Sequence, residues 1–132
     1  MEKTISKPRV LIAAPKSGTG KTVVTLLILQ AFKKAGLKVQ AFKAGPDYLD
    51  PCWHRLILKK PSINLDSWLS SQQAVRDCFW EYMQKADIGV IEGVMGLFDG
   101  RGLGLRGSSA ELAIILKTPV VLVIDASGSA RS

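Results

Sequence analysis

Only two of the 132 residues are cysteine, Cys52 and Cys78. Their separation makes neither a metal-ligand pair nor a disulfide framework, so both are expected to be structural and the setting to be reducing and cytoplasmic. Histidine is scarcer still, with His54 alone. No apolar run approaches the roughly 18 residues of a membrane span; the longest, such as Val120-Val121-Leu122-Val123-Ile124, are strand-length. The stretch Met1–Arg9 carries charges but no hydrophobic signal core. Also absent are a block of about five or more like charges and an aromatic-rich nucleic-acid motif. Neither a membrane nor a nucleic acid is therefore expected as a partner.

What is present describes one ordinary domain. Apolar residues make up 47% and charged residues 22% of the chain, which suits a soluble globular fold and argues against disorder. The net charge is +7. Such a surplus serves phosphate neutralisation, attraction of anionic small molecules, or simple solubility. The basic residues are dispersed, with Lys33, Lys34 and Lys38 near a helix end, Lys59 and Lys60 in a loop, and Arg101 and Arg106 among glycines. Charge alone does not choose among the three.

The apolar pattern alternates strand and helix. Val10–Ala14 reads as a buried strand, and Val39–Phe42, Ile88–Ile91 and Val120–Ile124 as three further strands. Val23, Val24, Leu27, Ile28, Ala31 and Phe32 recur at helical spacing from about Gly20 to Ala35, and Gly36 is placed to end that helix. A second helix is expected over about Ser71–Lys85, and a third from a Ser108 or Ser109 cap to about Lys117. The segments Ala44–Asp66 and Gly93–Gly107 read as loops, the latter holding six of the twelve glycines. Apolar strands joined by helical crossovers imply an α/β fold with a parallel sheet covered on both faces. The chain ends at Ser132, just past an apolar strand, where an open α/β sheet presents a ligand-binding loop, so the domain is expected to be cut short.

Between the first strand and first helix lies Pro15-Lys16-Ser17-Gly18-Thr19-Gly20-Lys21-Thr22. Glycines let successive amides converge on phosphate oxygens, the helix N-terminus adds partial positive charge, Lys21 adds a full one, and the Thr22 hydroxyl suits Mg2+. Pro15 stands where the strict phosphate-loop pattern has its first glycine. Lys16, five residues before Lys21, resembles the signature lysine of the deviant phosphate loop of dimeric partitioning ATPases.

Carboxylates follow the next strands. Phe42-Lys43-Ala44-Gly45-Pro46-Asp47-Tyr48-Leu49-Asp50-Pro51 places Lys43, Asp47 and Asp50 at the mouth of the second. The two acids suit an oxygen-ligated cation such as Mg2+, and both are also common turn residues. Glu92 ends the third expected strand, the position of a further metal-contacting acid in a phosphate-loop protein, and Asp99 follows in a glycine-rich loop.

Together with Asn64-Leu65-Asp66-Ser67-Trp68, Glu92-Gly93-Val94-Met95-Gly96-Leu97-Phe98-Asp99-Gly100 and Val123-Ile124-Asp125-Ala126-Ser127-Gly128, these segments make the chain similar, over essentially its whole length, to the cobyrinic acid a,c-diamide synthase family. The phosphate loop itself is shared more widely, with dethiobiotin synthetase and the partitioning ATPases. The resemblance implies a three-layer parallel sheet with a deviant phosphate loop of the P-loop NTPase kind. Residues 1–8 would be a tail and 9–132 part of an ATP-binding amidoligase domain, without the family's glutaminase domain and its nucleophilic cysteine.

The implied activity is ATP- and Mg2+-dependent, glutamine-fed amidation of the a and c carboxylates of a corrin ring in cobalamin biosynthesis. A carboxylate resists an amine because its leaving group is oxide; γ-phosphoryl transfer makes an acyl phosphate that ammonia can open. By the same resemblance, Lys16, Ser17, Gly18, Thr19, Gly20, Lys21, Thr22 and Val23 would hold ATP, and Thr22, Asp47 and Glu92 the metal. Lys43, Tyr48, Leu49, Asp50 and Asp99 would meet the tetrapyrrole polycarboxylate, with Lys21, Asp47, Asp50 and Asp99 in catalysis. His54 is either a substrate contact or a structural helix-start residue. Two alternatives remain open: the same chemistry on nickel-sirohydrochlorin, and a partitioning-type ATPase switch working as a homodimer through Lys16.

Overall fold

The computed structural model describes residues 6–129, so Met1–Ile5 of the expected tail and the last three residues lie outside the described residues. Five strands, β1 (Arg9–Ala13), β2 (Val39–Ala44), β3 (Ile63–Leu65), β4 (Ile88–Glu92) and β5 (Val120–Leu122), form one sheet in the order β3-β2-β4-β1-β5. Every ladder is parallel. Four helices make the crossovers: α1 (Lys21–Lys34), α2 (Leu49–Leu58), α3 (Gln72–Met83) and α4 (Ser109–Ile115).

Strand parity divides the core into two layers. Leu11, Ala13, Phe42, Ala44 and Ile91 pack with Phe79 and Met83 of α3 and Leu112 of α4. Ile12, Val39, Ala41 and Val90 pack on the opposite face with Leu29 of α1 and with Ile57 and Leu58 of α2. The sheet is thus covered on both faces from β3 to β1, as its apolar strands require, but the edge strand β5 departs from the expected coverage, with Val120, Val121 and Leu122 all exposed.

Local chemistry sets the helix ends. Ser71 Oγ accepts from Ala74 N at 3.0 Å and Ser108 Oγ from Glu111 N at 3.1 Å, so each serine caps its helix. Ser109 instead turns inward, its hydroxyl bonding both the amide and the carbonyl of Val94. Gly93–Gly107 contains neither helix nor strand, as expected.

Ala44–Asp66 differs from the expected loop, since it holds α2 and β3. The start of α2 is disguised by a Gly/Pro/Asp-rich lead-in: Asp47 Oδ1 accepts from Leu49 N at 2.8 Å and Asp50 N at 3.3 Å, and Pro51 sits in the first turn where it costs no hydrogen bond. Its end is disguised too, because Lys59 takes the left-handed conformation (φ 60°) usually given to glycine. β3 has three residues, too few to show alternation.

The connection from β1 leaves over the α1/α2 face and that from β4 over the α3/α4 face, which opens a crevice beyond the C-terminal ends of two adjacent strands. Among the described residues no helix is long and apolar enough to cross a membrane.

Phe79 anchors the α3/α4 layer, fully buried with its ring 4.9 Å from Phe42 and 5.1 Å from Trp80. Phe79→Ala is expected to destabilise the domain by about 3–5 kcal/mol through the cavity it leaves. Chemical denaturation reads this directly, and a loss below about 1 kcal/mol would contradict the packing described.

Candidate active site

The loop between β1 and α1 forms an anion nest. Gly20 takes the N-cap position of α1 at φ 92°, a conformation closed to most side chains, and supplies no capping oxygen. The first turn of α1 has no acidic residue, so its orphan amides and the positive end of its dipole are available to a phosphate. The loop after β4 packs against this nest. Leu97 N donates to Ala14 O at 2.7 Å, Lys21 Nζ donates to Met95 O at 3.2 Å, and a side chain at Gly96 would meet Pro15 O at 2.5 Å.

Beside the nest lies a buried charge cluster. Lys43 and Glu92 end their strands as register partners on the α1/α2 face. Lys43 Nζ stands 2.7 Å from Asp50 Oδ2, 3.1 Å from Glu92 Oε2 and 3.7 Å from Asp47 Oδ2, and donates to Gly93 O at 2.8 Å. Thr22 Oγ1 donates to the same Glu92 oxygen at 3.0 Å. The other, Oε1, pairs with His54 Nε2 at 2.9 Å, while His54 Nδ1 meets Ser62 Oγ at 2.8 Å. Asn64 Nδ2 fixes the β2 loop by donating to Gly45 O and Asp47 O, at 2.8 and 2.7 Å.

Burial pushes the Glu92 carboxyl up, but its hydrogen bond with His54 and the charge of Lys43 outweigh that and hold it at about 2. Burial lowers the Lys21 ammonium, the nearby Lys43 charge adds to this, and Glu92, Asp50 and Asp47 oppose it. A phosphate in the nest would favour the ammonium form that burial disfavours.

Lys16, Ser17, Gly18, Gly20, Lys21, Thr22 and Val23 line a cavity of about 370 Å3 with Lys43, Asp47, Asp50, Val94 and Met95. Thr19 lies within the same loop, its hydroxyl donating to Lys16 O at 3.3 Å. Glu92 forms the buried floor behind Thr22. Tyr48 and Leu49 stand exposed on the rim. Asp99 is not brought into the cluster: it is exposed, and its Oδ2 accepts from Gly96 N at 3.0 Å within its own loop. Neither free cysteine lines the cavity. A second hollow of about 400 Å3, lined by Leu105, Ile114, Ile115 and neighbours on α3 and α4, has no comparable nest.

Sequence reasoning missed the part His54 plays. It is fully buried within α2 and orients Glu92. Its spacing of four from Asp50 puts both on one helix face, a signal usable only once the segment is known to be helical.

Among the described residues no three His, Cys, Asp or Glu side chains form a metal-holding cluster. The donors that do converge, a threonine hydroxyl and single carboxylates beside a phosphate nest, fit Mg2+, which keeps several waters and takes one or two carboxylates plus phosphates.

Because the folded-state pKa of Glu92 is depressed, its contribution to stability is full above the ordinary carboxyl range and fades as pH falls toward 2. The difference in unfolding free energy between the unsubstituted protein and Glu92→Gln is therefore expected to shrink between about pH 5 and about pH 2. A difference that stays constant across that window would rule out the charge pairing as its source.

Comparison with known proteins agrees with this geometry. Residues 10–125 match the family model CbiA, described as the CobQ/CobB/MinD/ParA nucleotide binding domain. The chain is 50% identical over 129 residues to a cobyrinate a,c-diamide synthase of Syntrophotalea carbinolica, covering 97% of this chain and 28% of that protein. It is 52% identical over 126 residues to the enzyme of the same name from Listeria monocytogenes and 46% identical over 125 residues to that of Thermoplasma volcanium, covering 94% and 95% of this chain. Each match spans 28% of the relative's length. With a phosphate nest, a parallel five-stranded sheet and a family match over most of its length, the chain belongs to the CobQ/CobB/MinD/ParA nucleotide-binding domain family.

Proposed function

We propose that the chain is the ATP-binding part of a glutamine-fed amidoligase that converts the a and c carboxylates of cobyrinate to amides in cobalamin biosynthesis. The observation that carries this reading is the convergence of Lys43, Asp47, Asp50 and Glu92 beside the nest. Relatives named for this reaction share about half the residues of that frame.

The chemistry follows from the difficulty of displacing oxide from a carboxylate. An acceptor carboxylate oxygen attacks the γ-phosphorus of ATP, the bond to the β–γ bridging oxygen breaks, and ADP departs. Ammonia then attacks the acyl carbon, inorganic phosphate leaves with the bonding pair, and the nitrogen loses a proton. In this reading the amides and side chains of Lys16–Val23 hold the triphosphate. Lys21 balances charge building on its β- and γ-oxygens. Thr22, Asp47 and Glu92 would hold Mg2+, which when bound neutralises phosphate charge. Lys43 and Asp50 would meet the acceptor carboxylate, and Tyr48 and Leu49 would offer an exposed apolar rim to the macrocycle. The same reading implies a cytoplasmic enzyme supplied with ammonia by a glutaminase domain.

Lys21→Ala in the intact protein is expected to abolish ATP-dependent amide formation from cobyrinate, a loss of at least about 100-fold in turnover. Product analysis by mass spectrometry checks this, and undiminished amidation would remove Lys21 from the mechanism. Asp47→Asn should raise the Mg2+ concentration needed for half-maximal turnover by about tenfold, equivalent to about 1.4 kcal/mol, while unfolding shifts by less than that. A variant that loses stability alone would refute the metal role of Asp47.

A further inference from the structure

The sequence leaves Trp68, Arg101 and Arg106 without a role, and the fold brings them together. Arg106 Cζ lies 4.9 Å and Arg101 Cζ 5.5 Å from the centre of the Trp68 ring, within cation–π range. The two arginines face each other across a hairpin closed by Arg101 N donating to Arg106 O at 3.0 Å. The backbone beneath the indole is fixed, because Asp66 Oδ1 accepts from Trp68 N at 2.9 Å and Gly107 lies so near Trp68 Cβ that a side chain there would come within 3.3 Å of it.

Both arginines are exposed. Among the described residues neither guanidinium makes a side-chain hydrogen bond or pairs with a carboxylate within 4.0 Å. Stacking occupies the face of a guanidinium and leaves its in-plane N–H groups open, a fork that matches a carboxylate. The cluster also lies beyond the C-terminal edge of the sheet, the edge that carries the active site. Trp68 follows the strand whose Asn64 fastens the Asp47 loop, and the arginines ride on the loop whose Met95 carbonyl holds Lys21.

We infer that Trp68, Arg101 and Arg106 form an acceptor-binding clamp that grips peripheral carboxylates of the polycarboxylate substrate, distinct from the carboxylate being amidated. The assignment rests on the proposed function for its ligand. Phosphates of the nucleotide are served by the nest and the cavity around it, which the clamp does not line.

The test is isothermal titration of the intact protein with cobyrinic acid in the presence of a non-hydrolysable ATP analogue and Mg2+. The double variant Arg101→Ala/Arg106→Ala is expected to bind cobyrinic acid at least about tenfold more weakly, with affinity for the analogue unchanged within about twofold. Arg101→Lys/Arg106→Lys, which keeps the charge but loses the fork, should fall between. Cobyrinic acid affinity unchanged in the double alanine variant overturns the clamp and leaves the proposed function standing. An equal loss for the analogue also overturns it, since the effect would then be a general field or a folding defect. Failure of the unsubstituted protein to bind cobyrinic acid at all would overturn the proposed function and the clamp together.

Discussion

A lysine ammonium buried among three carboxylates at the ends of two adjacent strands is the constraint on which the rest of the site depends. Lys43 and Glu92 are 2% and 0% exposed. Taking two such charges out of water costs several kcal/mol per ion, and their attraction offsets this only when geometry is good and the remaining polar atoms are satisfied. Here they are: Gly93 O accepts a second Lys43 proton, and His54 and Thr22 occupy the two oxygens of Glu92. Apolar residues of similar size would fill the space at no cost in stability. The cluster is better understood as chemistry the fold tolerates than as a device that holds it together.

Charge balance sharpens that argument. One ammonium faces three carboxylates, so the cluster is formally anionic by two charges. Next to it the amides of the nest and Lys21 form the opposite field. A group that is itself anionic and carries a divalent cation satisfies both at once, the phosphates on one side and the metal on the other. Neither half alone would bind such a ligand well: the acids would repel bare phosphates, and the nest would repel a bare cation.

The architecture was legible where one local signal sufficed. Four strands, three helices and the phosphate loop could be read because each carries its period or its glycines within a few residues. Even the facing of Lys43 and Glu92 was latent, since each shares parity with the apolar residue two positions earlier, Ala41 and Val90, which point to the same layer. Their pairing was not, because it needs the β2–β4 register, a long-range property that no window of sequence contains. α2 and β3 failed for local reasons: a turn-rich start, a lysine in place of a C-terminal glycine, and a strand too short to alternate. His54 was lost with them. A residue can be assigned to a site only after the element that aims it has been recognised.

The loop after β4 explains how the two halves of the crevice act as one. At its beginning Gly96 lies against Pro15 O so closely that any side chain would collide at 2.5 Å, and a side chain at Gly100 would meet Arg106 O, within the same loop, at the same distance. Between these points the backbone is also tied by Leu97 N to Ala14 O and by Leu97 O to Ala110 N. Fastened to the end of β1 and to α4, the start of the loop acts as a strut between them. Gly96 and Gly100 serve close approach of backbone to backbone, whereas Gly102 and Gly104 face open space. The same strut holds Lys21 through Met95 and stacks two arginines on Trp68. The nest and the far rim are thus joined by one continuous backbone segment.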